Sequence, residues 1–335
     1  MSNRFSPRRA VTAAFLSLSL VTASQAALAA PDVVASIRPI HSIVASVMAG
    51  VGEPKLLLTN NSSPHDASLK PSQARMMENA DLVVWVGPSL ETFLIKPLSE
   101  NAKAFQAMEE EETAENEEKH AEGEHKDHDD HAHKDEHGHD EHAEAGHKKD
   151  EHAEEGGHHH HHHGADPHVW LDPHEVEELA TKLADRLAKL DPDNAATYKA
   201  NAEKLTAAVE AWEAGAAKAM KPLAGVHYVV AHDAYERFAE HFKLEEAVAI
   251  SPGDDRKPGA ARVRELHAEM DAKNITCLLR EPDTNEAMLN TVAQGRDVKL
   301  VNVDPLGRGL EAGPALYLQV MNKVQAAFST CLSKS

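Results

Sequence analysis

Short apolar runs alternate with amphipathic stretches along most of this chain of 335 residues. The apolar runs are rich in valine, leucine and isoleucine, as at residues 82–86, and the stretches between them repeat apolar residues at helical spacing, as at 175–190. Runs that are apolar on both faces are typical of strands in a parallel sheet that helices cover. The alternation therefore predicts an α/β fold built on mainly parallel sheets.

The pattern places strands at 33–37, 55–59, 82–86, 228–231, 247–250, 277–279 and 298–303. It places helices at 39–51, 72–79, 175–190, 193–220, 234–242, 258–273, 285–294 and 315–332. The helix predicted over 193–220 has no proline and a single glycine, Gly215, and is long for a globular protein. We expect two α/β lobes, at 30–190 and 222–335, joined by one long rigid linker helix within 191–221.

A charged segment, residues 108–164, interrupts the first predicted lobe. Between residues 109 and 155 it holds 21 acidic residues and 5 lysines, so it carries most of the formal charge of −21. It also holds 16 of the 24 histidines, the last six of them consecutive. Such a composition cannot bury apolar surface, so we expect a disordered insertion whose imidazoles and carboxylates collect additional zinc or copper ions weakly. An inserted affinity tag is the alternative explanation for the six consecutive histidines.

Residues 1–29 have the features of a removable export signal. A basic start is followed by an apolar run at 10–23, too short to span a bilayer comfortably, and by the small residues Ala27 and Ala29 on either side of Leu28. We expect cleavage near Ala29. No cysteine lies near this point and no later stretch is apolar for about twenty residues, so we expect no membrane anchor. The mildly acidic remainder offers no basic surface, which disfavours nucleic acid and anionic lipid as partners.

The chain has only two cysteines, Cys277 and Cys331. Export to an oxidising compartment favours their pairing, so we expect a disulfide. Closing a loop of roughly 54 residues would stabilise the fold by about 4 kcal/mol on chain entropy. The alternative, a two-cysteine metal site, lacks the close spacing that such sites usually show.

Three histidines outside the insertion, His65, His168 and His232, lie in loops beside predicted strand ends, and Asp304 follows the last predicted strand. Two-lobed α/β proteins bind ligands in the cleft at the carboxyl ends of their strands. Three imidazoles with a carboxylate or water make a tetrahedral site suited to zinc. A loop histidine is more often simply solvated, and this spacing matches no local zinc motif. The residues alone leave both interpretations open.

Four motifs follow one another along the chain: Ser63-Pro64-His65-Asp66, Asp166-Pro167-His168-Val169-Trp170-Leu171-Asp172-Pro173, His232-Asp233-Ala234-Tyr235 and Asp304-Pro305-Leu306-Gly307. With these motifs and Asn79-Ala80-Asp81-Leu82-Val83-Val84-Trp85-Val86-Gly87, the chain resembles the zinc-specific periplasmic binding proteins of ABC importers, the ZnuA family. The resemblance covers the whole chain after the export signal. A histidine- and acid-rich insertion between the first two ligand motifs is also common in that family.

The resemblance implies a periplasmic receptor, not an enzyme, that carries Zn²⁺ as its transported ligand and delivers it to the membrane permease of a zinc ABC importer. It implies His65, His168 and His232 as zinc ligands and two lobes joined by a rigid helix. Relatives that bind manganese have a carboxylate at the position of His232, so the imidazole points to zinc. We expect the receptor to be a monomer.

The resemblance leaves the fourth zinc ligand open. Some members have a glutamate directly before the first ligand histidine, where this chain has Pro64. The fourth place then falls to Asp304, to water or to a histidine of the insertion. We expect Asp304, because its motif is intact and a carboxylate would offset the charge of the metal; its alternative role is to cap a helix or to hold a ligand. We expect His41 to lie behind the ligands at most, and structural or solvated roles for His174, His227, His241 and His267.

Two other functions fit part of the pattern. Three histidines with an open fourth position also occur in zinc hydrolases. The chain has no HExxH motif and no obvious general base beside the ligands, so we do not expect an enzyme. A surface adhesin or a metal store is the other alternative, and the missing lipid anchor weakens the adhesin.

Overall fold

The structure, a computed structural model, describes residues 30–59, 63–98, 101–108, 166–251 and 258–333. The predictions for the export signal and for nearly all of the charged insertion lie outside these residues. The described strands are β1 Val33–Ala35, β2 Lys55–Leu56, β3 Leu82–Trp85, β4 Ala104–Gln106, β5 Val229–His232, β6 Val248–Ser251, β7 Cys277–Arg280 and β8 Lys299–Asn302. The described helices are α1 Arg38–Val47, α2 Pro71–Asn79, α3 Thr92–Leu98, α4 Pro173–Leu190, α5 Ala195–Met220, α6 Glu236–His241, α7 Ala260–Ala272, α8 Glu286–Ala293 and α9 Leu316–Leu332.

The strands form two four-stranded sheets in which every pairing is parallel. Their orders are β2-β1-β3-β4 and β6-β5-β7-β8, so the second sheet repeats the topology of the first. In both sheets the direction of strand succession reverses between the two central strands, which are β1 and β3 in the first sheet and β5 and β7 in the second. At such a point a crevice forms at the carboxyl ends of the strands. The predicted α/β fold with two mainly parallel sheets is confirmed. We call the elements before α5 the first lobe and those after it the second lobe.

One hydrophobic core runs from the first sheet to the second. Its side chains come from one face of each sheet and from the helices α1, α4, α5 and α9; examples are Val84, Ile40, Leu183, Val209, Phe328 and Val230. The outer face of each sheet has a smaller core of its own, against α2 and α3 in the first lobe and against α7 and α8 in the second. Because interiors are close-packed, a core shared by both lobes resists their relative motion.

The long helix α5 begins two residues after the helix predicted over 193–220 and ends at the same residue. Short 3₁₀ turns at Pro192–Asn194 and Lys221–Leu223 flank it. Polar contacts add to the shared core between α1 and the segment that leads into α9: the backbone N–H of Tyr317 donates to Ser42 Oγ (2.9 Å), and Arg38 Nη1 donates to the Leu310 carbonyl (3.2 Å). The lobes therefore meet along two helices, α5 and α9, rather than through a single hinge.

The sequence patterns missed two elements, α3 and β4. The helix α3 has seven residues and contains Pro97, which weakens the helical signal. The strand β4 has three half-buried residues and pairs with β3 at the edge of the first sheet. Its sequence, Ala-Phe-Gln, has no β-branched residue and so no clear strand signal, although β4 completes the sheet directly before the charged insertion.

The two cysteines form the predicted disulfide. Cys277 begins β7 and Cys331 lies near the end of α9, with 5.5 Å between their Cα atoms. Both residues are buried, so the bond fixes the last helix against the second sheet. Among the described residues no helix is both long enough and apolar enough to cross a bilayer.

Candidate metal site

The structure brings His65, His168 and His232 together. His65 lies in the loop between β2 and α2, His168 precedes the 3₁₀ turn Val169–Leu171 that leads into α4, and His232 is the last residue of β5. Their ring centroids are 5.0–5.5 Å apart, and one ligand atom from each lies within 4.8 Å of the other two. The cluster therefore takes two side chains from the first lobe and one from the second.

The spacing of these imidazoles fits a zinc ion. Tetrahedral zinc with bonds of about 2.0–2.1 Å places its nitrogen ligands roughly 3.3 Å apart. Small rotations of the rings, which bring the nitrogens closer by no more than about 1.5 Å, therefore suffice. The side chain of His168 is 3% exposed and that of His232 is 19% exposed, so a bound ion would be largely shielded from water.

A buried carboxylate holds the ring of His168. Asp166 Oδ1 lies 2.5 Å from His168 Nδ1 and also accepts the backbone N–H of His168 at 3.0 Å. Burial by itself raises the pKa of Asp166, but His168 and the donated hydrogen bonds lower that pKa to about 2. An ionised carboxylate at Nδ1 keeps the proton of a neutral imidazole on that nitrogen, which leaves the lone pair of Nε2 for a metal.

A second carboxylate holds the ring of His232. Glu281, which directly follows β7, places Oε1 3.1 Å from His232 Nδ1 and accepts the hydroxyl of Tyr235 at 3.0 Å. Burial raises the pKa of Glu281, while contacts with His232, Arg308 and Tyr235 bring it below its usual range. Carboxylates that receive the second ring N–H of a histidine are typical of zinc sites, and each lobe supplies one here.

Sequence reasoning missed both of these carboxylates. Asp166 is two residues before His168, a spacing that places its side chain near the imidazole only if the chain turns there. Glu281 is 49 residues from His232, and only the pairing of neighbouring strands β5 and β7 brings them together. Its position at the carboxyl end of a parallel strand was the one available signal.

Contacts between the lobes surround the cluster. The indole Nε1 of Trp170, a fully buried residue, donates to the Pro305 carbonyl at 2.9 Å. Arg237 Nε in α6 donates to the Asp166 carbonyl at 2.5 Å, and its backbone N–H donates to Asp166 Oδ2 at 3.3 Å. The loop that carries His168 is therefore anchored to the second lobe at two points.

Asp304, the fourth ligand expected from the sequence, does not join the group of three histidines. Its carboxylate accepts backbone N–H groups of the next turn, from Leu306 at 3.2 Å and from Arg308 at 2.6 Å. Gly307 in this turn has φ +64°, and a Cβ there would lie 2.6 Å from Val320. The motif thus forms a tight turn, and its Pro305 carbonyl meets Trp170.

The other histidines outside the insertion lie away from this cluster. His41 in α1 contacts the Pro54 carbonyl through Nε2 at 3.0 Å, and its pKa is lowered, mainly by burial. His227 pairs with Glu245, and His267 contacts the Val292 carbonyl. His174 and His241 form a second group with Asp172, which the sequence analysis did not foresee.

Comparisons with known proteins agree with the fold and the motifs. The family model for the periplasmic zinc-uptake complex component A, ZnuA, matches residues 33–331. The high-affinity zinc uptake system protein ZnuA of Brucella suis is 40% identical over 308 residues, which cover 90% of this chain and 92% of the relative. The protein of the same name from Paracoccus denitrificans is 37% identical over 322 residues, covering 95% of this chain and 97% of the relative.

Solved structures show the same architecture. A crystal structure of ZnuA superposes with a TM-score of 0.64 at 21% identity, covering 89% of this chain and 99% of that chain. That likeness concerns the fold, whereas the sequence relatives and the family model concern the whole length of the chain. The chain therefore belongs to the ZnuA family of periplasmic zinc-uptake components.

Proposed function

We propose that this chain is the receptor that captures one Zn²⁺ ion between His65, His168 and His232 and delivers it to the membrane permease of an ABC importer. The observation that carries the proposal is the convergence of three imidazoles from both lobes, two of them oriented by buried carboxylates. Members of the ZnuA family are solute receptors and not enzymes, so the hydrolase alternative falls. The receptor works in the periplasm after cleavage near Ala29, and as a monomer, because a single chain supplies all three imidazoles.

Three neutral imidazoles select zinc over manganese and calcium, which prefer oxygen ligands. Buried carboxylates hold the rings of His168 and His232, so little conformational entropy is lost when these ligands bind. Because an imidazole must be neutral to bind, affinity falls as the pH drops through the histidine range near 6.5.

Delivery to the permease follows from the division of ligands between the lobes. Such a site loses its geometry when its ligands move by more than about 0.5 Å, so a small separation of the lobes weakens zinc binding sharply. That separation must break the bond of Trp170 to the Pro305 carbonyl and the bonds of Arg237 to Asp166. We propose that binding to the permease breaks these hydrogen bonds between the lobes and so releases zinc.

His65→Ala, His168→Ala and His232→Ala should each remove a zinc ligand and so weaken the tightest zinc site by more than about 100-fold. Competition against a chromophoric zinc chelator measures the dissociation constant. His227→Ala is the matched control, because His227 lies in the second lobe, away from the cluster, and pairs with Glu245 on the described part of the chain. Wild-type affinity in any of the three ligand variants would remove that histidine from the site.

We propose that a water molecule takes the fourth position on the zinc ion. Both oxygens of Asp304 already accept backbone N–H groups, and Oε1 of Glu281 faces the ring of His232. We propose that Asp304 holds its turn and that Asp166 and Glu281 orient the ligand rings.

Asp166→Asn and Glu281→Gln should therefore each reduce zinc affinity about 10–100-fold, the usual loss for a hydrogen-bond partner of a ligand. Asp304→Asn, which keeps an acceptor for the turn, should change it by about twofold at most. The same chelator competition measures all three variants. If Asp304→Asn weakened binding as much as loss of a histidine, Asp304 would be the fourth ligand after all.

The charged insertion, we propose, collects additional zinc weakly for this receptor. Its support is compositional: 16 histidines among many carboxylates. A composition that cannot bury apolar surface gives its ligands no packing to hold them, so we propose that these sites are weaker than the three-histidine cluster.

Replacing residues 109–164 by a short Gly-Ser linker should leave one tightly bound zinc ion and abolish the additional weak ones, as counted by equilibrium dialysis with metal analysis. Met108 is retained because its side chain is buried in the core. Growth should suffer only when zinc is scarce. Loss of the tight site in this deletion would mean that the insertion supplies a zinc ligand.

A further inference from the structure

A second cluster of metal-binding side chains lies where three helices meet. Asp172 caps the start of α4 and His174 follows in its first turn; Glu213 lies on α5, and His241 is the last residue of α6. One ligand atom each from Asp172, His174 and His241 lies within 4.8 Å of the other two. Glu213 Oε1 is 3.0 Å from His241 Nε2 and 4.0 Å from His174 Nε2. No residue of this cluster belongs to the three-histidine site.

We propose that His174, Glu213 and His241 form a second zinc site, weaker than the first, that ties the first lobe, the linker helix and the second lobe together, with Asp172 orienting the ring of His241. Two imidazoles and one carboxylate, with water in the fourth place, are a donor set that suits zinc and other borderline divalent ions. The proposal does not depend on which ion the three-histidine site carries.

The ring of His241 is already fixed as a metal ligand would be. Its Nδ1 lies 3.0 Å from Asp172 Oδ1, and its Nε2 faces Glu213 at 3.0 Å. The side chain is 6% exposed, so its orientation is held by packing. A zinc ion bound at Nε2 would keep the Asp172 contact as the carboxylate–histidine pair that is typical of zinc sites. The proton that Nε2 shares with Glu213 would leave to solvent.

The ring of His174 is the ligand of the proposed site that can rotate. Its side chain is 70% exposed, and its ring lies edge-on to that of His241 with centroids 4.7 Å apart. A rotation of this exposed ring suffices to bring its nitrogen to the roughly 3.3 Å from the other ligands that tetrahedral zinc requires. The backbone of His174 is meanwhile fixed, because its N–H donates to the Asp172 carboxylate at 2.9 Å.

A third carboxylate, that of Glu177, lies beside the cluster and would be stabilised by a cation there. Oε1 of Glu177, one turn after His174 on α4, is shielded from solvent and has no hydrogen-bond partner among the residues that the structure describes. Burial raises the pKa of Glu177, and its neighbours Glu210 and Glu213 raise it further. A cation at the cluster would offset this concentration of negative charge.

The competing explanation is a plain ion-pair network, in which a protonated His241 bridges Asp172 and Glu213. The ring of His174 contributes little to that network, because it is largely exposed and its Nε2 lies 4.0 Å from Glu213 Oε1. The two explanations therefore differ in what removal of the His174 ring does to zinc binding.

Thermal unfolding of the full chain at increasing zinc concentration separates the two explanations. A ligand that binds only the folded state raises Tm by roughly 2–4 °C for each site with every tenfold increase in free ligand above its dissociation constant. Consecutive histidines of the insertion bind zinc in the unfolded chain as well, so they add little to this rise in Tm. The slope of Tm against the logarithm of free zinc thus counts the sites that need the fold.

We expect this slope to fall to about half in His174→Ala and to remain at the wild-type value in the control His227→Ala. Chelator competition should show the first, tight zinc ion unchanged in His174→Ala. Glu213→Gln, which keeps an acceptor for His241, should lower the slope as well. A wild-type slope in His174→Ala would overturn the proposal and leave the ion-pair network. Loss of the tight site in His174→Ala would equally overturn it, because the two sites would not be separate.

Discussion

Three imidazoles from loops of two different sheets must be held close together, and the rest of the structure meets this requirement. The ring centroids lie 5.0–5.5 Å apart, a separation that ring rotation can close around an ion only while the lobes keep their placement. The shared core around α5 and α9 fixes the lobes, and the bonds of Trp170 and Arg237 fix the loop of His168 between them. A fixed placement of the two lobes therefore favours tight zinc binding.

Two buried carboxylates orient the imidazole rings of the candidate zinc site. Asp166 and Glu281 are both almost fully buried, a position that is costly for a charge unless it is paired. Each is paired with the Nδ1 side of a histidine ring, and each also accepts a hydrogen bond from the second lobe, from Arg237 and Tyr235 respectively. The same bonds that make these charges tolerable orient the two rings, and we propose that their opposite nitrogens bind the metal.

The sequence predicted most of the fold because its strands are apolar on both faces and its helices are long. It missed α3, whose Pro97 weakens the helical signal, and β4, whose three half-buried residues are not β-branched. Motifs beside strand ends predict His65, His168 and His232 as ligands, and the structure brings these side chains together. Glu281 and the group of Asp172, His174 and His241 were missed, because residues tens of positions apart meet only in three dimensions. Asp304 was assigned to the metal from an intact motif, whereas the structure shows its carboxylate holding a turn.

X-ray absorption at the zinc edge, on protein loaded with a single equivalent of zinc, tests the central claim most directly. A zinc ion held by His65, His168, His232 and water has a first coordination shell of three imidazole nitrogens and one oxygen at about 2.0 Å. A shell with two imidazoles would place the tight ion at the group of Asp172, His174 and His241, and one with four would give a ligand role to the insertion. Either result would contradict the assignment of the tight site to His65, His168 and His232.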